Sequence, residues 1–253
     1  MEFCEILRVV LCGDNGRDVT VRAPRMAKLA MPGQFLHIAC EGFTLRRPIS
    51  ICEIGVDTLR FVFEVRGRGT DWLAQRREGE TLDIVGPCGA GFYNLDASRH
   101  AVLVGGGIGC PPLLPLAGFF GGNATAILGF RSEKQLILQK DFEEKAGSVL
   151  ITTDDGSVGR KAFTTEVLAE RIAAGGVDCI FACGPTPMLK GVQKLALESG
   201  IPCQLSLEQR MACGVGACLA CATKVQDASR EDGFRYAHVC KYGPVMDAKE
   251  VIF

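Results

Sequence analysis

The chain has 253 residues, enough for two domains with real cores. Its 28 Lys and Arg nearly cancel 29 Asp and Glu, and a net charge of −1 gives no basic footprint for nucleic acid or an anionic membrane. Apolar residues make up 47% and charged residues 23%, an ordinary globular composition, and no repeat or low-complexity tract interrupts it.

The first ninety residues carry six short β-patterned runs: CEILRVVLC, DVTVRAP, QFLHIAC, PISICEI, TLRFVFEVRG and ETLDIVGP. Turn residues separate them, and that spacing predicts an antiparallel sandwich or barrel. No basic head with a cleavage site precedes the first run, so no signal peptide is expected and the location is cytoplasmic. GPCGAGFY (86–93) is a glycine-rich loop and a natural boundary.

From residue 100 the pattern alternates. HAVLVGGG, ATAILGF, SVLITTDD, VDCIFACGP and IPCQLSLE read as strands. Helices are predicted over 133–146, 161–174 and 186–200, and the alternation predicts a parallel α/β sheet. Residues 101–130 contain no charged side chain, but eight glycines and three prolines break them up. No apolar run there approaches the ~18 residues of a membrane span. Domains are expected at 1–97, 98–207 and 208–253.

Thirteen cysteines is a high count. In a reducing compartment a disulfide framework is not expected, and most of the scattered cysteines read as small buried hydrophobes. The exception is MACGVGACLACATKV (211–225), where Cys213, Cys218 and Cys221 stand at C-x4-C-x2-C with Cys240 further on. That is the plant-type [2Fe–2S] spacing. Gly214, Gly216 and Ala217 allow the backbone close approach to an anionic cluster. Zinc stays open here as Cys4, or as Cys3His with His238, although structural zinc usually presents two short knuckles and Cys240 has no knuckle partner.

Two further motifs suit phosphates. LRRPISI (45–51) offers a guanidinium fork, and RGRGT (66–70) a glycine turn ending in Thr70. VLVGGGIGCPPLLPLA (102–117) reads as a strand, a glycine turn and a helix opening on Pro111 and Pro112, whose N-terminus would form an anion site. The G-x-G-x-x-G fingerprint is not met, because Cys110 stands at its last glycine. A surface strand start and a structural glycine turn remain open readings for these motifs.

Together RRPIS, RGRGT, GPCGAGF, GGGIGCPPLL, DDGSVGRKAF, CGPTPMLK and the cysteine tail resemble the ferredoxin–NADP⁺ reductase superfamily. Within it they are most similar to the iron–sulfur electron-transfer subunits of class B dihydroorotate dehydrogenases. The resemblance implies a six-stranded antiparallel FAD barrel, a parallel α/β NAD domain and a small C-terminal [2Fe–2S] module. It places Arg47, Pro48, Ile49 and Ser50 on the FAD, with Arg47 at the pyrophosphate, and adds Glu64, Val65, Arg66, Gly69 and Thr70. Gly106, Gly107, Ile108 and Gly109, with Cys183, Gly184 and Pro185, face the nicotinamide nucleotide. Cys213, Cys218, Cys221 and Cys240 ligate the cluster.

Ile49 stands where the wider superfamily has an aromatic, and Arg131 could pair with a 2′-phosphate although the resemblance favours NAD. The implied activity is electron transfer between NAD and a partner, an FMN-containing dihydroorotate dehydrogenase catalytic subunit in a two-plus-two assembly, within pyrimidine biosynthesis. The rival within the resemblance is a subunit of an NADH-dependent ferredoxin–NADP⁺ oxidoreductase or of a sulfur- or hydrogen-metabolising complex. A rival outside it is a zinc-stabilised binding protein. No catalytic triad or paired-carboxylate motif is present, and His37 and His100 read as structural residues beside strands.

Overall fold

Alternating apolar and polar side chains close the first part of the chain on itself. A computed structural model describes residues 1–253. Its first elements are β1 (Glu2–Cys12), β2 (Gly16–Arg22), α1 (Pro24–Ala27), β3 (Phe35–Ile38), β4 (Arg47–Ile54), β5 (Thr58–Glu64), α2 (Arg68–Ala74) and β6 (Thr81–Cys88). The six strands form a closed antiparallel barrel in the order β1-β2-β5-β4-β3-β6. Every second residue points inward, so Val19, Val21, Leu36, Ile38, Leu59, Phe61, Phe63, Leu82 and Ile84 fill the interior. Closure leaves no free sheet edge among these strands.

The second part contains β7 (Ala101–Gly106), α3 (Leu114–Phe120), β8 (Ala124–Phe130), α4 (Gln139–Lys145), β9 (Ser148–Thr153), β10 (Arg160–Lys161), α5 (Thr164–Ala173), β11 (Cys179–Cys183), α6 (Thr186–Ser199) and β12 (Cys203–Ser206). After them come β13 (Ala222–Gln226), β14 (Phe234–His238), α7 (Val239–Tyr242) and β15 (Val245–Asp247). One seven-stranded sheet runs β10-β9-β8-β7-β11-β12-β15. It is parallel except for β15, which pairs antiparallel with β12. The chain winds outward from β7 to β10 and then returns to β11 on the other side of β7. That reversal is a topological switch point, where open α/β sheets form a crevice beyond the strand ends.

Three differences from the sequence reading matter. The helix expected over 133–146 is a 3-10 turn at Glu133–Gln135 followed by α4, because Leu138 takes a positive φ of 58° and interrupts it. The helix expected to open on Pro111 and Pro112 is likewise split. Those prolines lie in a buried 3-10 turn, and α3 starts only at Leu114. No long helix dipole therefore points at the glycine turn. Finally, β15 is a three-residue strand that no periodic pattern in the sequence marks.

Through β15 the cysteine segment is built into the rest of the molecule. Cys221, Val225, Ala237, Val239, Cys240, Met246 and Val251 share one core with Ile180, Leu189, Val192 and Leu205 of the sheet domain. The segment also touches the barrel exit, where Ala90 N–H donates to the Gly243 carbonyl at 2.6 Å. Two-stranded β13–β14 completes it. No helix is long and apolar enough to cross a membrane.

A charged knot ties the barrel to the sheet domain. Arg60 on β5 meets Asp18 at 2.8 Å, Glu53 at 3.2 Å and Asp141 of α4. The Asp18 side chain is only 7% exposed. Removing the cation would leave that carboxylate, shielded from water, with only the longer contact to Arg8 at 3.6 Å. Arg60→Leu is therefore expected to lower the stability of the chain by about 3–5 kcal/mol, read by urea unfolding; a loss below about 1 kcal/mol would mean the knot is effectively solvated.

Candidate cofactor site

The barrel face of β4 and β5 and the carboxyl ends of β7, β11 and β12 enclose one cleft of 1610 Å³. That exceeds the ~300–1000 Å³ of an ordinary small-molecule pocket and leaves room for two extended ligands. Arg47, Pro48, Ile49, Ser50, Glu64, Arg66 and Thr70 line its barrel side. Val65 and Gly69 do not. The Val65 amide and carbonyl are both taken up by Asn15, at 3.0 and 2.6 Å.

The two adjacent arginines at the start of β4 point to different work. Arg46 grips Asp83 with both ends of its fork, at 2.6 and 3.1 Å, and holds β4 to β6. Arg47 has no carboxylate partner; it lies 5.0 Å over the Phe43 ring and donates to the Leu45 carbonyl. Gly69 works from behind the cleft, because the Arg47 guanidinium fills the space a Cβ there would need. An unpaired guanidinium lining a cleft suits a pyrophosphate.

The RGRGT turn differs from its expected use. It is the start of α2, and the Thr70 hydroxyl accepts from the Arg66 and Gly67 amides at 2.9 and 3.1 Å. Those two donors are satisfied internally, so they are not the phosphate-binding amides the sequence suggested.

On the other side Gly106, Gly107, Ile108 and Gly109 face Cys183, Gly184 and Pro185 across the switch point. Gly109 lies against the Cys183 carbonyl and leaves no space for a side chain. Gly107 has φ +53° and opens on space, as a residue covered by a ligand would. Burial pushes the Cys183 thiol up to about 12, so it stays a neutral thiol beside the cleft. Arg131 lines the outer end with Gln135 and Asp154.

Sequence reading missed one whole wall. Residues 206–211, which lead from β12 into the cysteine loop, line the cleft with Leu207, Glu208, Gln209, Arg210 and Met211. Their only signal is a polar run between a strand and a cysteine motif, and that does not specify which surface the run covers.

The four tail thiols are gathered in two pairs. Cys218 N–H donates to Cys213 Sγ at 3.4 Å, and Cys240 N–H donates to Cys221 Sγ at 3.5 Å. The inner pair is buried, at 1% and 2% exposed, while Cys213 and Cys218 are half-buried. Two cysteines for each of two irons is the arrangement of a [2Fe–2S] core.

The loop's amides also point at sulfur. Gly216 N–H donates to Cys240 Sγ at 3.1 Å, and Ala217 and Cys218 N–H donate to Cys213 Sγ at 3.3 and 3.4 Å. Amides of Val215 and Cys218 pull the Cys213 thiol down to about 6, which favours the thiolate a metal needs. Gly214 and Gly216 have φ of +71° and +79°, conformations that let the loop curl around its sulfurs. The other nine cysteines are also free thiols. The residues present fit an iron–sulfur cluster.

A barrel joined to a switch-point crevice, with a two-pair cysteine loop beside it, defines a flavin- and nicotinamide-linked reductase module carrying an iron–sulfur centre. Comparison with known proteins supports this. The family described as the iron–sulfur cluster binding domain of dihydroorotate dehydrogenase B matches residues 208–252. The chain is 45% identical to the dihydroorotate dehydrogenase B (NAD(+)) electron transfer subunit of Caldanaerobacter subterraneus subsp. tengcongensis, over 88% of this chain and 87% of that protein. It is 41% identical to the subunit of the same name from a Geobacillus species, over 87% of this chain and 86% of that one. A solved chain of an NADH-dependent reduced ferredoxin–NADP oxidoreductase superposes with a TM-score of 0.87 at 30% identity, covering 100% of this chain and 90% of its own. The chain belongs to the family of dihydroorotate dehydrogenase B electron transfer subunits.

Two outcomes are expected from this geometry. Cys218→Ser removes the visible and paramagnetic signals of the cluster but leaves flavin bound, since Cys218 does not line the cleft. Gly69→Val displaces the Arg47 guanidinium and weakens FAD binding by about 10-fold or more, the scale of one lost charge-assisted hydrogen bond, as read by fluorescence titration of the apoprotein.

Proposed function

We infer that this chain passes electrons between NAD and a partner dihydroorotate dehydrogenase, using FAD in the cleft and the cysteine-bound cluster as its carriers. The single observation that carries the reading is adjacency. The wall formed by residues 206–211 runs directly from the FAD–nucleotide cleft into the loop that holds Cys213. Bound there, flavin supplies the conversion between two-electron hydride exchange with nicotinamide and one-electron exchange with an iron–sulfur centre.

The chain's own residues bind and orient. Arg47 holds the FAD pyrophosphate, and Pro48, Ile49 and Ser50 lie along the flavin. Glu64, Arg66 and Thr70 frame it; Val65 and Gly69 support the frame from behind. Gly106 to Gly109 and the Cys183–Gly184–Pro185 turn bring the backbone close enough for a nicotinamide nucleotide to lie against the flavin. The half-buried Cys213 and Cys218 put one end of the cluster near the surface.

Val215, at 57% exposed, and Leu219, at 74%, project from the same loop and give the partner an apolar contact at that end. The partner is an FMN-bearing catalytic subunit, and the assembly holds two of each chain. Pyrimidine biosynthesis is the setting, and the cytoplasm the location.

The resemblance to the ferredoxin–NADP oxidoreductase chain over the full length supports a second reading, in which the same module serves that kind of complex. Reconstitution separates the two. Mixed anaerobically with a dihydroorotate dehydrogenase catalytic chain from the same host, the protein is expected to make NAD⁺ reduction depend on dihydroorotate, with orotate formed in equal amount. NADPH–ferredoxin activity without that partner, and no orotate with it, would assign the module to the second kind of complex.

A further inference from the structure

His37 is a buried imidazole that nothing in the chain satisfies. It sits in β3 at 1% exposure, and neither Nδ1 nor Nε2 has a hydrogen-bond partner; it is the only side chain in the molecule left so. A buried polar group left unpaired costs about 1–3 kcal/mol, so each such group in a native fold calls for a partner that the protein atoms do not supply. The neighbours of His37 are informative. Its backbone carbonyl accepts from Arg46 at 3.4 Å, and its ring meets Phe35 edge-on at 6.4 Å. Neither contact uses the ring nitrogens.

A further contact is with the cysteine loop. A Cβ on Gly214 would fall on His37 Nδ1, with Cε1 at 2.7 Å and Cγ at 3.0 Å from it. Gly214 is bonded to Cys213, so the loop that carries this thiol rests directly on the imidazole. His37 does not line the flavin–nucleotide cleft. Of the two candidate cofactor sites, the one its ring borders is therefore the cysteine loop.

We propose that His37 is a positioning residue for the iron–sulfur cluster, its ring N–H donating to a sulfur of the cysteine-bound cluster. The inference rests on the iron–sulfur reading of the tail. Hydrogen bonds to cluster sulfurs stabilise the reduced, more negative state and so raise the potential. Backbone amides already supply such bonds from within the loop. His37 adds one from the barrel, and it makes the barrel part of the cluster's cage.

Two measurements on the full, cluster-loaded chain test this. In His37→Leu the cluster content is retained, while its midpoint potential falls by about 59 mV, a tenfold change in a one-electron couple. His37→Gln keeps a donor and recovers most of the shift. Equal potentials in wild type and His37→Leu, or an equal fall in both variants, would overturn the proposal, since packing alone would then account for the residue.

The second measurement does not need a His37 variant to fold. With ¹⁵N-histidine label in His238→Gln protein, pulsed paramagnetic resonance of the reduced cluster should show coupling to one imidazole nitrogen. His100 lies at the opposite end of β7 from the cleft and contributes none. A loaded cluster with no ¹⁵N coupling would overturn the proposal while leaving the electron-transfer reading intact. A chain that takes up no iron at all would overturn both.

Discussion

Three of the places where backbone meets its neighbour without room for a side chain set how closely the parts of this molecule approach. Gly89 meets the Gly243 carbonyl, Gly109 meets the Cys183 carbonyl, and Gly214 meets the His37 ring. Each joins two different parts of the chain: barrel to cysteine segment, turn to turn across the nucleotide crevice, and cysteine loop to barrel. Electron transfer between bound groups needs them close and fixed. Glycine provides that by letting the elements carrying the cofactors approach to backbone contact.

The consequence is that the cysteine segment does not behave as an appended knuckle. β15 hydrogen-bonds to β12, and the buried cysteines Cys221 and Cys240 share a core with α6 and β11. Folding of the cluster loop and of the sheet are then parts of one packing problem. A metal-bound loop on such a base keeps its distance to the flavin cleft, whereas a loop on a linker would not. The Arg60 knot serves the same end on the far side, tying α4 to the barrel wall.

Charge within the cleft follows from the same economy of partners. Of two neighbouring arginines, Arg46 is spent on Asp83 and Arg47 is left without a carboxylate. Both border the cleft, and what separates them is that Asp83 lies within reach of Arg46 alone. A bidentate ion pair holds the start of β4 to β6, while the fork of the next residue is left in the cleft without a carboxylate. The Thr70 hydroxyl, by contrast, is used up in capping α2, so a residue that looks like a phosphate contact in the sequence is largely a local structural device.

The sequence by itself determined the barrel, the alternating sheet, the cysteine spacing and the glycine and arginine motifs found at the cleft, because each rests on short-range periodicity or on motif spacing. It misjudged the helices around Pro111 and Leu138, where a proline pair and a left-handed residue break a pattern that otherwise reads as continuous. Only the tertiary structure decided how the thiols pair, which wall residues 206–211 form, that β15 completes the sheet, and that a histidine in the third strand lies under the cluster loop. Those are contacts between segments far apart in the chain. No local pattern encodes them, since they depend on where the packed domains bring each backbone to rest.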